Sequence, residues 1–132
     1  MNIKVGEVFS KSRLVTDELV RQFAEISGDF NPLHLDDEFA ASTRFGKRIA
    51  HGMLSGAFIS AVLGNEFQER KVVYLSQTMR FVTPVFIGDT VTTTATVENI
   101  REDKPILIID TRCTNQIGET LITGDAAVLI LE

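Results

Sequence analysis

Residues 51–64 read HGMLSGAFISAVLG, and this stretch decides the fold. Between Gly52 and Gly64 the side chains are apolar on nearly every face of a helix, and a helix that is apolar all round is buried. The apolar part is too short to cross a bilayer, which needs about 20 residues. We therefore expect a long central helix around which a soluble chain wraps its other elements.

The second half of the chain predicts the elements that wrap this helix. Its composition is dominated by Val, Ile and Thr, the residues that favour strands, and it is interrupted by turn residues. The predicted strands lie near residues 72–82, 90–100, 105–116 and 120–131. An antiparallel sheet wrapped around one buried helix belongs to the α+β class.

The first half predicts a strand followed by helices. Residues 8–14 (VFSKSRL) are a candidate strand, and Thr16 is a candidate N-cap for a helix that ends at Gly28. A short helix is expected around residues 36–43. Because no repeat, linker or low-complexity tract interrupts the chain, we expect a single domain over residues 1–132.

The overall charge and the cysteine content narrow the class of function. The net charge is −5 and the pI is about 5.0, which argues against binding nucleic acid through a basic surface. Cys113 is the one cysteine, so no intrachain disulfide can form and a reducing compartment is expected. The N-terminus has no apolar signal-peptide core. We expect a cytoplasmic protein with neither a membrane nor a nucleic acid as its partner.

Residues 27–36, SGDFNPLHLD, place one of the two histidines five residues after an aspartate. Asn31-Pro32 favours a turn here, because the residue before proline avoids the helical region. Such a turn can bring Asp29 and His34 to the same side, where a carboxylate and an imidazole can exchange protons with a bound water. An ordinary Asx-turn followed by a surface histidine fits the spacing as well.

His51-Gly52 stands immediately before the central helix. The first N–H groups of a helix have no internal partner, and a glycine allows a ligand to approach the backbone closely. Gly52 therefore predicts an oxyanion-binding N–H at the positive end of the helix dipole. The alternative is a glycine that only permits tight packing at the helix start.

Metal and nucleophile chemistry is less well supported. His34, Asp36 and Asp37 are potential metal ligands, but they lack the HExxH spacing and a second histidine nearby, so we expect no metal. The GMLSG segment is not a G-x-S-x-G nucleophile elbow, because Ser55 is one position late. We interpret Cys113 as a small strand residue rather than a nucleophile.

A short basic run, RFGKR, follows the predicted short helix. It contains Arg44, Lys47 and Arg48, the one local cluster of cations beside the candidate site. The run can be a solvated loop, or it can bind the phosphates of a substrate.

Taken together, these segments carry a family likeness. SGDFNPLH, FAAST and IAHGML resemble the MaoC-like (R)-specific enoyl-CoA hydratases of the hotdog superfamily. The strand segments YLSQTMRFVTPVFIGDTVTTTATV and IREDKPILIIDTRC are similar as well, so the resemblance covers almost the whole chain. The combination D-x-N-P-x-H followed by H-G is far more specific than either piece alone.

The resemblance implies a hotdog fold, a homodimer and reversible hydration of trans-2-enoyl-CoA to (R)-3-hydroxyacyl-CoA. The acyl-CoA is then the substrate, and no cofactor or metal is implied. Asp29 and His34 are implied to hold the catalytic water, and the Gly52 N–H to bind the thioester oxygen. Three further residues are implied to support the site, namely Asn31, His51 and Ser60.

The acyl tail needs an apolar pocket. Leu63 near the end of the central helix and Val128 in the last strand are candidates for limiting tail length, although both can equally be ordinary core residues. Two other functions remain open. One is the dehydration of (R)-3-hydroxyacyl groups on acyl carrier protein, which is the same chemistry in reverse, and the other is a non-catalytic acyl-CoA-binding module.

Overall fold

The computed structural model describes residues 3–67 and 71–131, so residues 1–2, 68–70 and 132 of the predicted domain lie outside this description. The described part contains four helices and six strands. In chain order they are β1 (Val8–Leu14), α1 (Asp17–Ser27), α2 (Pro32–Leu35), α3 (Asp37–Ala41), α4 (Gly52–Asn65), β2 (Lys71–Gln77), β3 (Arg80–Phe81), β4 (Thr90–Ile100), β5 (Ile106–Thr114) and β6 (Thr120–Leu131).

The strands form one antiparallel sheet in the order β1-β4-β5-β6-β2, with the short β3 paired to β6. Burial alternates along β4, β5 and much of β6, as expected for strands with one face on a core. Helix α4 contacts β1, β2, β4 and β5. The predicted α+β arrangement of a sheet around a central helix is confirmed.

Helix α4 is central, but one of its faces remains open in the single chain. Its core face is buried and carries Leu54, Phe58, Ile59, Val62 and Leu63. The opposite face is mostly small and exposed, with Met53 as its one large side chain and Ala57, Ser60, Ala61 and Gly64 around it. The prediction of burial on all sides therefore holds for the core face alone. No helix in residues 3–67 or 71–131 has the length and hydropathy to cross a bilayer.

The helices before α4 begin and end at the predicted signals, with one addition. The Thr16 side chain accepts the Leu19 N–H (3.0 Å), and Gly28 ends α1 in the left-handed conformation. Helix α2, where the sequence predicted only a turn, forms because Asn31 caps it and Pro32 occupies its first position. His34 thus lies on a one-turn helix, which fixes its direction more firmly than a loose turn would.

The strand predicted over residues 72–82 is split into β2 and β3. A Cβ built on Gly124 of β6 would lie 1.9 Å from the carbonyl oxygen of Thr78, so only a glycine leaves room for the chain to enter here. The Thr78 N–H in turn donates to the Asp125 carbonyl (2.8 Å). This close approach interrupts the strand and directs β3 toward the start of α4.

Candidate functional site

Asp29 and His34 lie close together, which is one of the two arrangements that the motif spacing allows. One carboxylate oxygen of Asp29 and one ring nitrogen each of His34 and His51 lie within 4.8 Å of one another. A single water molecule can hydrogen-bond to two groups at this separation. The turn therefore brings a carboxylate and an imidazole to one point.

The hydrogen bonds of His34 determine which nitrogen is available. Its Nδ1 lies 2.7 Å from the Ile49 carbonyl oxygen, which can only accept, so Nδ1 carries the proton and Nε2 presents its lone pair. The side chain is 8% exposed. Burial lowers the pKa of His34 below its usual 6.5, and the hydrogen bond to Ile49 opposes this effect. The ring is therefore a neutral base at pH 7.

Asp29 is exposed, and its position is set by the local backbone. Its carboxylate accepts the Asn31 N–H (3.2 Å), and the Asn31 side chain accepts the Leu33 N–H (3.0 Å) as the cap of α2. These two bonds link the aspartate to the helix that carries His34. Asn31 therefore shapes the turn that connects Asp29 to His34.

Gly52 begins α4, and its N–H has no acceptor within residues 3–67 and 71–131. His51 precedes it as N-cap, without a side-chain capping bond. A Cβ on Gly52 would lie 2.7 Å from Cε1 of Phe81, so the phenyl ring packs directly over the glycine. The helix start thus offers an unpaired donor with an aromatic ring beside it.

His34 and Gly52 line the same cavity, of about 440 Å³, which we call the His34 cavity. Its rim includes Arg44, and its wall includes the exposed ring of Phe81. Its buried lining residues are apolar apart from His34 and Ser55. The remaining lining residues are Phe45, Ile49, Ala50, Met53, Val82, Thr83, Pro84, Val85, Leu121 and Ile122.

Ser60 lies elsewhere, in a second and more open depression that we call the Ser60 groove. This groove is apolar, has a similar volume of about 440 Å³ and lies along the open face of α4. Its lining residues are Phe23, Met53, Gly56, Ala57, Ser60, Tyr74, Leu75, Ser76, Gln77 and Met79. Within this chain the serine that shares a cavity with His34 and Gly52 is Ser55, one helical turn after the glycine.

Leu63 and Val128, the candidates for limiting tail length, are both core residues. They are 1% and 0% exposed, and they line neither the His34 cavity nor the Ser60 groove. The reason is geometric, because Leu63 lies on the core face of α4 and Val128 on the buried face of β6. Of the two interpretations left open by the sequence, these positions favour ordinary core.

The three cations of the basic run have different surroundings. Arg48 is 7% exposed, and its guanidinium donates to the His34 carbonyl (2.8 Å) and pairs with Asp17. It holds α2 against α1, so the expectation that it meets substrate phosphates is corrected. Arg44 borders the His34 cavity, and the Lys47 ammonium lies 4.5 Å from the Phe86 ring centre.

The groups suggested for metal or nucleophile chemistry are already occupied. The Asp36 carboxylate caps α3 by accepting the Phe39 N–H (3.0 Å), and Asp37 faces Arg48. Two sets of three groups in the described residues could share an ion, namely Asp29, His34 and His51, and Glu98, Asp110 and Asp125. In the first set one nitrogen of each histidine faces a backbone carbonyl. Burial raises the pKa of the Cys113 thiol, which keeps it protonated and unreactive.

Sequence reasoning missed the Phe81 ring and the structural role of Arg48. Phe81 is part of an unremarkable strand pattern, MRFV, and only the break at Thr78 brings it over Gly52. Arg48 belongs to a basic run that is typical of a solvated loop. The acidic first turn of α1, which includes Asp17, was the available signal that a buried arginine had a partner.

Comparison with known proteins agrees with this architecture. Residues 3–116 match the MaoC like domain family. The chain is 42% identical over 127 residues to the (R)-specific enoyl-CoA hydratase of Aeromonas caviae, covering 96% of this chain and 95% of that protein. It is 40% identical over 129 residues to the (R)-specific enoyl-CoA hydratase of Rhodospirillum rubrum, covering 98% and 89%.

A solved structure of the (R)-hydratase from A. caviae involved in PHA biosynthesis superimposes with a TM-score of 0.94, at 42% identity and over 98% of both chains. The hotdog fold implied by the sequence is thereby confirmed. With the family match extending from the first strand through β5, the chain belongs to the MaoC-like domain family.

Proposed function

We propose that the protein catalyses the (R)-specific hydration of trans-2-enoyl-CoA to (R)-3-hydroxyacyl-CoA. The observation that carries this proposal is that His34 and the unpaired Gly52 N–H line one cavity, with the Asp29 carboxylate beside the imidazole. Hydration of an unsaturated thioester needs these two functions side by side, namely a proton acceptor for water and a donor for the thioester oxygen. The high identity to two hydratases over nearly the full chain supports the same reaction.

In this mechanism Asp29 and His34 hold the water that attacks the β-carbon. The lone pair of His34 Nε2 and the carboxylate of Asp29 are both acceptors, so a water between them is oriented and polarised. The pair takes one proton from the water and returns one to the α-carbon on the same face. No cofactor and no metal takes part in these steps.

The thioester oxygen becomes negative as water adds, and Gly52 is placed to stabilise that charge. Its N–H has no acceptor within the described residues, and it lies at the positive end of a 14-residue helix. One such donor is typically worth about 10²–10³ in rate. The Phe81 ring packs over the glycine beside this donor.

The two ends of the substrate have matching surroundings around the His34 cavity. We assign Arg44, which borders this cavity, to a CoA phosphate, and Lys47 of the same basic run as the second cation. We place the start of the acyl tail against Val85, Leu121 and Ile122 inside the cavity.

The free, buried thiol of Cys113 suits a reducing compartment such as the cytoplasm.

The test is an assay that follows loss of the enoyl-thioester absorbance with crotonyl-CoA. We expect turnover, and we expect the product to be consumed by an (R)-specific but not an (S)-specific 3-hydroxyacyl-CoA dehydrogenase. Activity only on an acyl-carrier-protein substrate would instead identify the dehydratase. Tight binding of crotonyl-CoA without turnover would identify a non-catalytic binding module.

We further propose that two copies of the chain pair along β2, which is one edge of the sheet. The other edge, β1, carries Lys11 and Arg13, and charged side chains protect an edge from pairing. On β2, Val73 and Leu75 are exposed and apolar (41% and 50%). A second copy on this edge would also approach the open face of α4.

Replacing Val73 by Lys is expected to convert this dimer into a monomer, because it puts a charge in the middle of the apolar edge. Light scattering at micromolar concentration measures the change. Val8→Lys is the matched control, since Val8 is 57% exposed on the opposite edge strand. A wild-type monomer, or equal dissociation of both variants, would contradict pairing along β2.

A further inference from the structure

His51 lies at the centre of the candidate site, although the proposed mechanism gives its side chain no step. It is the N-cap of α4 and directly precedes Gly52, yet its side chain forms no capping bond. The side chain is 2% exposed. A polar ring buried at this depth needs a reason, because an apolar ring of similar size would fill the space without polar atoms.

The contacts of the imidazole connect the two residues of the acid–base pair. Its Nε2 lies 3.0 Å from the backbone carbonyl oxygen of Asp29, and because a carbonyl can only accept, Nε2 carries the proton. The ring lies against that of His34, with centroids 4.0 Å apart and planes 31° apart. The ring of Phe23 in α1 packs on the His51 ring, with centroids 5.0 Å apart.

We propose that His51 is a positioning residue that fixes Asp29 and His34 relative to each other and aligns both with the Gly52 N–H. This inference rests on the proposed function. The hydrogen bond holds the backbone of Asp29, the stacked ring limits the orientation of His34, and the next residue in the chain supplies the oxyanion donor. A single side chain thereby links the three groups that must act together, and displacement by about 1 Å can cost 10²-fold in rate.

The second ring nitrogen supports a role beyond packing. Nδ1 of His51 is the one buried side-chain nitrogen or oxygen without a hydrogen-bond partner in residues 3–67 and 71–131. Leaving it unpaired is unfavourable for folding. The imidazole is therefore retained despite a cost in stability, as is expected when the opposite nitrogen holds a functional backbone group.

His51 also affects the charge of its neighbour. The positive charge that His51 can carry lowers the pKa of His34, an effect smaller than that of burial. The other charged groups that face His34 are the Asp29 carboxylate, which raises its pKa, and the Arg48 guanidinium bonded to its carbonyl. Phe23 adds no charge from the α1 side. Loss of this charge removes one of the influences that lower the pKa of His34.

Two substitutions separate the hydrogen bond from the ring. His51→Phe keeps an aromatic ring against His34 but loses the donor to Asp29, whereas His51→Gln keeps an N–H donor and loses the ring. With crotonyl-CoA we expect His51→Phe to lower kcat about 10–100-fold with KM changed less than about threefold, and His51→Gln to retain more of kcat. In His51→Gln, which removes the charge without adding an apolar ring, the acidic limb of kcat/KM moves to higher pH, which a space-filling role would not cause.

The wild type provides a measurement that does not depend on how the variants fold. Ring ¹⁵N chemical shifts at pH 7 should show His51 in the Nε2–H form, and an Nδ1–H form would overturn the inference. So would an active wild type together with a His51→Phe variant whose kcat lies within twofold of the wild-type value. An inactive wild type would instead overturn the proposed function and, with it, this inference.

Discussion

Asp29→Asn is expected to lower kcat for crotonyl-CoA by about 10²–10⁴, and His34→Ala by a similar factor. Asparagine keeps the shape of the turn and still accepts the Asn31 N–H, but it cannot take a proton. Alanine at position 34 removes the imidazole whose unprotonated Nε2 is assigned to accept the proton of the water. KM should change little in either variant, because neither side chain is assigned to hold the CoA portion.

The direction in which activity changes with pH is a second test of the roles of Asp29 and His34. His34 must be neutral to accept a proton, and burial lowers its pKa, so activity should fall on the acidic side only below about pH 6.5. The carboxylate of Asp29 raises the pKa of His34, so any residual activity of Asp29→Asn should have its acidic limb at still lower pH. The pH at which activity is lost is determined from kcat/KM measured from about pH 4.5 to about pH 8.

Asp37→Asn is the matched control for the loss of one carboxylate close to the motif. Asp37 is 89% exposed and lies 3.7 Å from Arg48, outside the group formed by Asp29 and the two histidines. Its activity should stay near that of the wild type. Full activity in both Asp29→Asn and His34→Ala would show that the pair does not carry the reaction.

Gly52→Ala is expected to reduce kcat by about 10²–10³, the usual loss when an oxyanion donor no longer reaches its oxygen. The added methyl would lie 2.7 and 2.8 Å from two carbons of the Phe81 ring, so the ring or the helix start must move. The backbone conformation is not the obstacle, because Gly52 is not among the glycines with a positive φ.

Gly64→Ala is the control on the same helix, since among the described residues its Cβ would meet no atom within 4 Å apart from its chain neighbours and the backbone of its own helix. It should leave kcat unchanged. The double variant Gly52→Ala/Phe81→Ala then separates two causes. Recovery of most of the activity would mean that Gly52→Ala acts by displacing Phe81, whereas a loss that persists means that the methyl itself blocks access to the N–H. Wild-type activity in Gly52→Ala alone would remove Gly52 from the site.

Much of the fold followed from the sequence because its strongest signals are local. The apolar run of α4, the Thr16 and Gly28 caps and the Val/Ile/Thr strands each act within a few residues. Helix α2 was missed because four residues are too few for a periodic pattern. The division of residues 72–82 was missed because its cause, Gly124, lies more than 40 positions away in the chain.

The candidate site was predictable to the extent that its residues are close in sequence. Asn31-Pro32 predicts the turn that brings Asp29 close to His34, and the start of α4 predicts the N–H donor at Gly52. Contacts between distant segments were not predictable in this way. The salt bridge from Arg48 to Asp17 spans 31 positions, and nothing in the run RFGKR separates Arg48 from Arg44.

The missing side chain at Gly124 has a consequence for how sequences of this architecture can diverge. Any larger residue at position 124 would collide with the Thr78 carbonyl, so the chain could not leave β2 at this point. Phe81 would then not reach Gly52. A position that touches no substrate and lies on a different strand is thereby tied to the surroundings of the oxyanion donor. A substitution at Gly124 in β6 can therefore inactivate the site even when Asp29, His34 and Gly52 are unchanged.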